Sequence, residues 1–135
     1  MKIMETGTDI KIKAYEIDAM GIVSNIHYVK WFEDLRHIFL DKYYPYDEMM
    51  EVGISPVLLK TEINYKKSLT IHDHPRGISW VTKMDKMRWE MQYEIWAGET
   101  LCCSGTQQGC FFDVNKQKPV RVPEKLSEAY KQTEK

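Results

Sequence analysis

Asp18 opens the stretch DAMGIVSNIHYVKWFEDLR, residues 18–36, a lone carboxylate just ahead of an aromatic-rich helical pattern. Helix N-termini carry unpaired N–H groups and about half a positive charge, so they stabilise negative charge that develops beside them. An acid opposite such a terminus suits acyl transfer to water. A carbonyl oxygen would accept the first helical N–H groups, near Ser24 to Ile26, while Asp18 attacked the carbonyl carbon or deprotonated a water that did. Each oxyanion donor of this kind contributes about 3 kcal/mol in the transition state. A second reading makes Asp18 a turn acid that accepts backbone N–H groups of its own loop. Residue types leave both open, and Gly21 permits the turn that either requires.

The helix that would present those N–H groups is predicted over residues 25–43. Tyr28, Phe32, Leu35, Phe39 and Tyr43 share one stripe, and Lys30, Asp34, His37 and Asp41 share the opposite one. With Val29, Trp31, Ile38 and Leu40 on the flanks, the helix must be mostly enclosed. Ser24 or Asn25 suits its N-cap. Around it the pattern is of strands. DIKIKAY (9–15) alternates Ile10, Ile12 and Ala14 against lysines, and residues 57–65 alternate Val57, Leu59, Thr61, Ile63 and Tyr65 against Lys60, Glu62 and Asn64. Residues 78–84 alternate too, and KMRWEMQYEIW (86–96) puts Met87, Trp89, Met91, Tyr93 and Ile95 on one face. A long strand follows at 100–114, then a turn at NKQKP and a short helix at 124–132 after Pro123. Residues 43–56 connect, with a helical turn over YDEMMEV. The plan is α+β: an antiparallel sheet wrapped around one long helix. Such a sheet leaves edges, so a homodimer is the expected minimum.

The length of 135 residues suits one domain, residues 1–135, large enough for a real core. Nineteen basic residues against twenty acidic ones give no excess that advertises nucleic acid, and no run is apolar enough for a membrane span or a signal peptide. Three cysteines without paired spacing read as reduced thiols of a cytoplasmic protein.

The run Asp18, Gly21, Ile22, Val23, Tyr28, Trp31, Phe32, Glu33, Arg36 resembles the hotdog-fold acyl-CoA thioesterases of the 4-hydroxybenzoyl-CoA thioesterase type, and the extended segment ending at Tyr65 and KPVRVP (118–123) extend the likeness along the chain. The resemblance implies the hotdog fold and acyl-CoA hydrolysis. It implies Asp18 as nucleophile or base and the amide at Asn25, with Ser24, Gly21, His27 and Tyr28 around it, as the carbonyl site. It also implies assembly as a homodimer or homotetramer with the site at the dimer interface. Ile17 stands where the family has Thr or Cys, Asn25 where it has His or Phe, and His27 where it has Asn. These departures bear on the substrate more than on the reaction. An acyl-carrier-protein thioesterase, a hotdog dehydratase and a non-catalytic acyl-binding hotdog protein are the rival readings, and the Asp-first motif argues against the dehydratase.

Other groups carry less. His27 either touches the acyl group or a water, or is a hydrogen-bonding residue on the helix flank. Glu33 pairs most simply with Arg36, three residues on. His72, Asp73 and His74 lack a third separated ligand, so polar turn chemistry is expected there and no metal site. Cys102 and Cys103 point to opposite faces of a strand and read as buried small residues. Arg76, Arg88, Lys66 and Lys67 could meet the phosphates of CoA or of a carrier-protein arm, but read as solvated surface. No metal or redox cofactor is expected.

Overall fold

A computed structural model describes residues 1–134. In chain order the elements are β1 (Ile3–Asp9), α1 (Asn25–Tyr43), α2 (Tyr46–Glu51), β2 (Ile54–Tyr65), β3 (Arg76–Met84), β4 (Trp89–Ala97), β5 (Thr100–Asp113), β6 (Lys118–Val120) and α3 (Glu124–Glu134). The strands form one antiparallel sheet in the order β1-β3-β4-β5-β2, with β6 pairing the end of β5. The sheet curls around α1, as the sequence pattern predicts. No helix among the described residues is long and apolar enough to cross a membrane.

α1 spans the residues expected, and its apolar stripe is the centre of the core: Tyr28, Trp31, Phe32, Leu35, Phe39 and Leu40 are buried, while Lys30, Asp34, His37 and Asp41 face out. Each fully buried side chain of this size contributes about 2–3 kcal/mol. Phe32 stacks on Tyr93 of β4 with ring centroids 4.7 Å apart. This close approach needs glycine on the sheet below. A Cβ at Gly105 would overlap the Phe32 ring and lie 2.9 Å from the Glu62 carbonyl oxygen, and one at Gly77 would lie 2.9 Å from Leu35 Cδ1. Beyond Phe32, Arg36 donates to Gln107 Oε1 at 2.8 Å and pairs with Glu33, and its guanidinium lies over Trp89. Fully buried Gln107 in turn donates to Thr61 Oγ1 at 3.3 Å. A polar chain thus ties the outermost strand β2 to the helix.

Four sequence expectations are corrected. The strand expected at 9–15 lies earlier, at Ile3–Asp9, and residues 14–16 form a 3-10 turn. Ile12 is buried between exposed Lys11 and Lys13, so the alternation there reports burial without a strand ladder. In β2 the alternation breaks at a bulge between Leu58 and Lys60, which puts Leu58 with Thr61, Ile63 and Tyr65 on the helix side and leaves Leu59 exposed. Met87 does not share the buried face of Trp89, Met91, Tyr93 and Ile95. Asp85 Oδ1 accepts the amides of Met87 and Arg88 and holds residue 87 in an exposed turn before β4. The turn expected at NKQKP closes by Gln117, whose φ is +57°, and Lys118 and Pro119 already belong to β6.

Replacing Gly105 by alanine forces a methyl group against Phe32 and the β2 backbone. Overpacking of this kind costs about 1–3 kcal/mol, so the urea midpoint of Gly105→Ala is expected to fall by that equivalent. An unchanged midpoint would show that α1 does not rest on the sheet at this glycine.

Candidate active site

The chain reaches α1 through a tight loop that begins at Glu16. Ser24 N–H donates to the Glu16 carbonyl at 2.9 Å, Ile17 and Val23 form an isolated antiparallel bridge, and Asp18 N–H donates to the Ile22 carbonyl at 2.8 Å. At the tip Gly21 has φ +79° with open space around its Cα, so what demands glycine is the backbone angle, not crowding. Within this loop Asp18 Oδ1 accepts the amides of Met20 at 2.8 Å and Ile22 at 3.4 Å. The side chain therefore performs the turn-acid role that the residue types allowed. Its other oxygen, Oδ2, takes no partner among the described residues, and the residue is exposed.

Two residues beyond the loop α1 begins with Ser24 as its N-cap, in extended conformation and with no side-chain cap bond. Ser24 accepts the His27 amide through its carbonyl, while the amides of Asn25 and Ile26 have no acceptor among the described residues. The helix therefore opens with free donors and the positive end of its dipole, tied to the base of the Asp18 loop through the Ser24 N–H bond to Glu16 and the Ile17–Val23 bridge. Asn25 is exposed, and its carbonyl accepts Tyr65 O–H from the end of β2 at 3.1 Å, which joins the helix tip to the outermost strand. Met20 and Ile26 stand 82% and 74% exposed and Tyr65 45% exposed, an apolar fringe around these polar groups.

The remaining candidates divide. Tyr28 is 3% exposed, edge-on to Trp31 and to Tyr65 at 5.1 and 5.3 Å, and so belongs to the core beneath the tip. Burial pushes its phenol pKa up to about 12, with Cys103 and Cys102 adding to the rise. His27 is half-buried on the first turn, and its Nδ1 lies 3.9 Å from Glu16 Oε2, beyond hydrogen-bonding distance. The residue that sequence reasoning missed is Glu16. Its carboxylate is 1% exposed, Oε1 accepting the Lys13 amide at 2.8 Å and Oε2 the Trp31 indole N–H at 3.3 Å. Trp31 offered the only signal, since a buried indole N–H requires an acceptor.

Elsewhere, Asp73 closes its turn by accepting the Thr70 amide and hydroxyl at 2.8 and 3.3 Å, the polar turn chemistry expected. The three cysteines are free and buried, and no group of three or more His, Cys, Asp or Glu gathers as a metal site among the described residues.

Known proteins place this chain in a family. The sequence profile of the thioesterase-like superfamily matches residues 12–130, and the chain belongs to that superfamily. A protein of Aquifex aeolicus provisionally named an esterase is 28% identical over 122 residues, 90% of this chain and 94% of its own length. Among solved structures, the DHNA-CoA thioesterase of Staphylococcus aureus superposes with a TM-score of 0.89 at 27% identity, over 96% of this chain and 91% of that one. A second Staphylococcus aureus protein, solved in complex with CoA, superposes at 0.90 with 14% identity, over 98% of this chain and 85% of its own, a likeness of fold. The fold is the hotdog fold, and the chain is a thioester hydrolase.

The buried phenols give the structure a direction of pH dependence. The Tyr28 pKa stands above its unfolded value near 10, so the stability tied to its neutral form is complete below pH 10 and is lost as pH rises toward 12. Burial raises Tyr93 and Cys103 in the same sense. Stability is expected to hold steady to about pH 9 and then fall by pH 12, with Tyr28→Phe removing on the order of 2 kcal/mol of that fall. Urea midpoints at pH 8, 10 and 11.5 for both proteins check this; identical slopes would contradict it.

Proposed function

We propose that this member of the thioesterase-like superfamily hydrolyses an acyl-CoA thioester to free acid and CoA, with Asp18 as nucleophile or general base and the first amides of α1, at Asn25 and Ile26, as the oxyanion site. One observation carries the reading: Asp18 holds its loop with a single carboxylate oxygen and keeps the other free, in the loop that leads directly into α1, whose first amides are uncapped. The loop amides orient the carboxylate, and the free oxygen is the one available to react.

In the proposed reaction the Asp18 carboxylate, or a water that it deprotonates, adds to the thioester carbonyl carbon. The carbonyl electron pair moves onto oxygen, where the helix amides and dipole receive the charge. Collapse of the tetrahedral intermediate breaks the C–S bond, and the thiolate of CoA leaves. If Asp18 attacked directly, a water then hydrolyses the mixed anhydride and frees the acid. Ser24 and Gly21 shape the backbone that presents the donors. His27, on the first turn, borders the acyl group or the water.

CoA is proposed over a carrier protein because the DHNA-CoA thioesterase of Staphylococcus aureus is 27% identical across nearly the whole chain. The exposed Met20, Ile26 and Tyr65 around the site support a homo-oligomeric enzyme in which a second chain covers this fringe. Three buried free thiols suit a reducing cytoplasm.

Asp18→Asn keeps an acceptor for the loop amides and removes the reactive charge. Release of free thiol from a panel of acyl-CoAs is expected to fall in kcat by roughly 10²–10⁴-fold, with the thermal unfolding midpoint unchanged. Turnover near that of the wild type in this variant would refute the mechanism. The same acyl group presented on a carrier protein is expected to be the poorer substrate in kcat/KM.

A further inference from the structure

We propose that buried Glu16 positions the imidazole of His27 as the base for the water that completes hydrolysis, which leaves Asp18 to attack as the nucleophile. The inference rests on the reading above, in which Asp18 and the first amides of α1 meet the thioester. It divides between two residues the roles which that reading left to Asp18.

Glu16 is a carboxylate that the fold seals without filling its capacity to accept. It is 1% exposed, and each oxygen takes one donor, the Lys13 amide on Oε1 and the Trp31 indole N–H on Oε2. A carboxylate offers about four acceptor positions, and its burial is tolerated only where partners compensate for the lost water. Among the described residues no Lys or Arg pairs with it, and the basic side chain beside it is His27, with Nδ1 3.9 Å from Oε2.

That placement selects a tautomer. Both Glu16 oxygens act as acceptors, so the imidazole nitrogen that faces them is the one that carries hydrogen, and Nε2 keeps its lone pair. Closing the gap to a hydrogen bond takes a ring movement of about 1 Å, and contacts of this kind tighten when substrate binds.

The ring also stands in the right place. Helical side chains lean toward the N-terminal end, so His27 covers the turn that presents the Asn25 and Ile26 amides. Its side chain is 18% exposed, and the Tyr15 ring meets it edge-on with centroids 6.5 Å apart. Glu16 stands two residues before Asp18, and its carbonyl accepts Ser24 N–H. One residue thus ties together the base of the Asp18 loop, the helix cap and the imidazole.

In the first step the free oxygen of Asp18 bonds to the thioester carbonyl carbon. The C–S bond breaks, its electron pair stays on sulfur, and the thiolate of CoA leaves. In the second step a water oxygen bonds to the acyl carbon of the mixed anhydride while one water proton passes to His27 Nε2. The bond to Asp18 then breaks and its electron pair restores the carboxylate. The proton on His27 passes to thiolate or solvent, so the sum is thioester plus water to acid plus thiol.

Rapid-mixing measurements of thiol release from octanoyl-CoA and benzoyl-CoA test the division of roles. In His27→Ala the steady-state rate is expected to fall roughly 10²–10³-fold, while a first burst of about one thiol per site survives. Intact mass is expected to show the acyl group retained on that variant and absent from Asp18→Asn. Added imidazole is expected to restore part of the steady-state rate. Glu16→Gln is expected to keep the burst and to lose about tenfold or more in steady state, with little further loss when combined with His27→Ala. A merely structural role for Glu16 would lower burst and steady state together. Glu16→Gln gives up an acceptor in the core, so circular dichroism checks its fold; His27→Ala leaves the Lys13 and Trp31 bonds in place and decides the case if Glu16→Gln does not fold. An unimpaired steady state in His27→Ala, or equal losses of burst and steady state without an adduct, would overturn the assignment. Full activity in Asp18→Asn would overturn the reading beneath it, whereas an inactive Asp18→Asn beside an unimpaired His27→Ala would overturn this assignment alone.

Discussion

The enclosure of α1 by its own sheet is the constraint from which the other features follow. A helix buried on three sides must be apolar on three sides, and Tyr28, Trp31, Phe32, Leu35, Phe39 and Leu40 meet that demand. The sheet must offer a surface without side chains where the helix presses hardest, and Gly77 and Gly105 do so. A helix held this firmly cannot shift along its axis, so the position of its first turn is fixed by packing many residues away. Its N-terminal donors cannot be buried without partners, so the tip must emerge at the rim of the sheet. A fixed, exposed and uncapped helix N-terminus is thus a product of core packing, and the chemistry proposed for this protein is built on it.

Glu16 supplies the second anchor. Its carboxylate, sealed from water, joins the 3-10 turn to α1 through Trp31 and the Lys13 amide, while its carbonyl receives Ser24 N–H. The loop from Asp18 to Ile22 therefore hangs between two points that are both tied to the helix. A buried carboxylate that lost its partners would be strongly penalised, and this makes the start of the loop stiff where its tip is exposed. Asp18 can spend one oxygen on the loop and still be oriented, because the loop itself is held at its base.

How much of this was legible in the sequence depended on whether a signal was local. The helix, a cap at Ser24 or Asn25, the turn at Gly21 and the wrapped α+β plan were legible because period, capping residues and glycine act within a few positions. The strand expected at 9–15 was misplaced because alternation marks which residues are buried, and Ile12 is buried without a strand around it. The bulge at Leu58–Lys60 escaped because it answers to the register against β5, a partner some fifty positions away. Of the two readings the sequence left open for Asp18, the turn role is the one its hydrogen bonds show. Glu16 was not found, since nothing near it distinguishes a buried acid from a solvated one; only Trp31, fifteen residues on, requires it.

A site that lies open in one chain also has an energetic argument for a second. Two unit charges 4 Å apart interact by about 1 kcal/mol in bulk water and about 4 kcal/mol at the effective dielectric of a protein surface. Exposed amides at the tip of α1 would thus do little for an oxyanion bathed in solvent. The same amides, roofed by apolar groups that exclude water, acquire several times that effect with no change in their own geometry. Met20, Ile26 and Tyr65 are apolar, exposed and arranged around the donors, and β2 runs an open edge up to Tyr65. Folding one chain fixes the directions of the dipoles; displacing the water that weakens them requires more surface than the chain has. The exposed fringe is costly for a monomer and useful for an assembly, and the hydrolysis proposed at this tip would gain from a covered site.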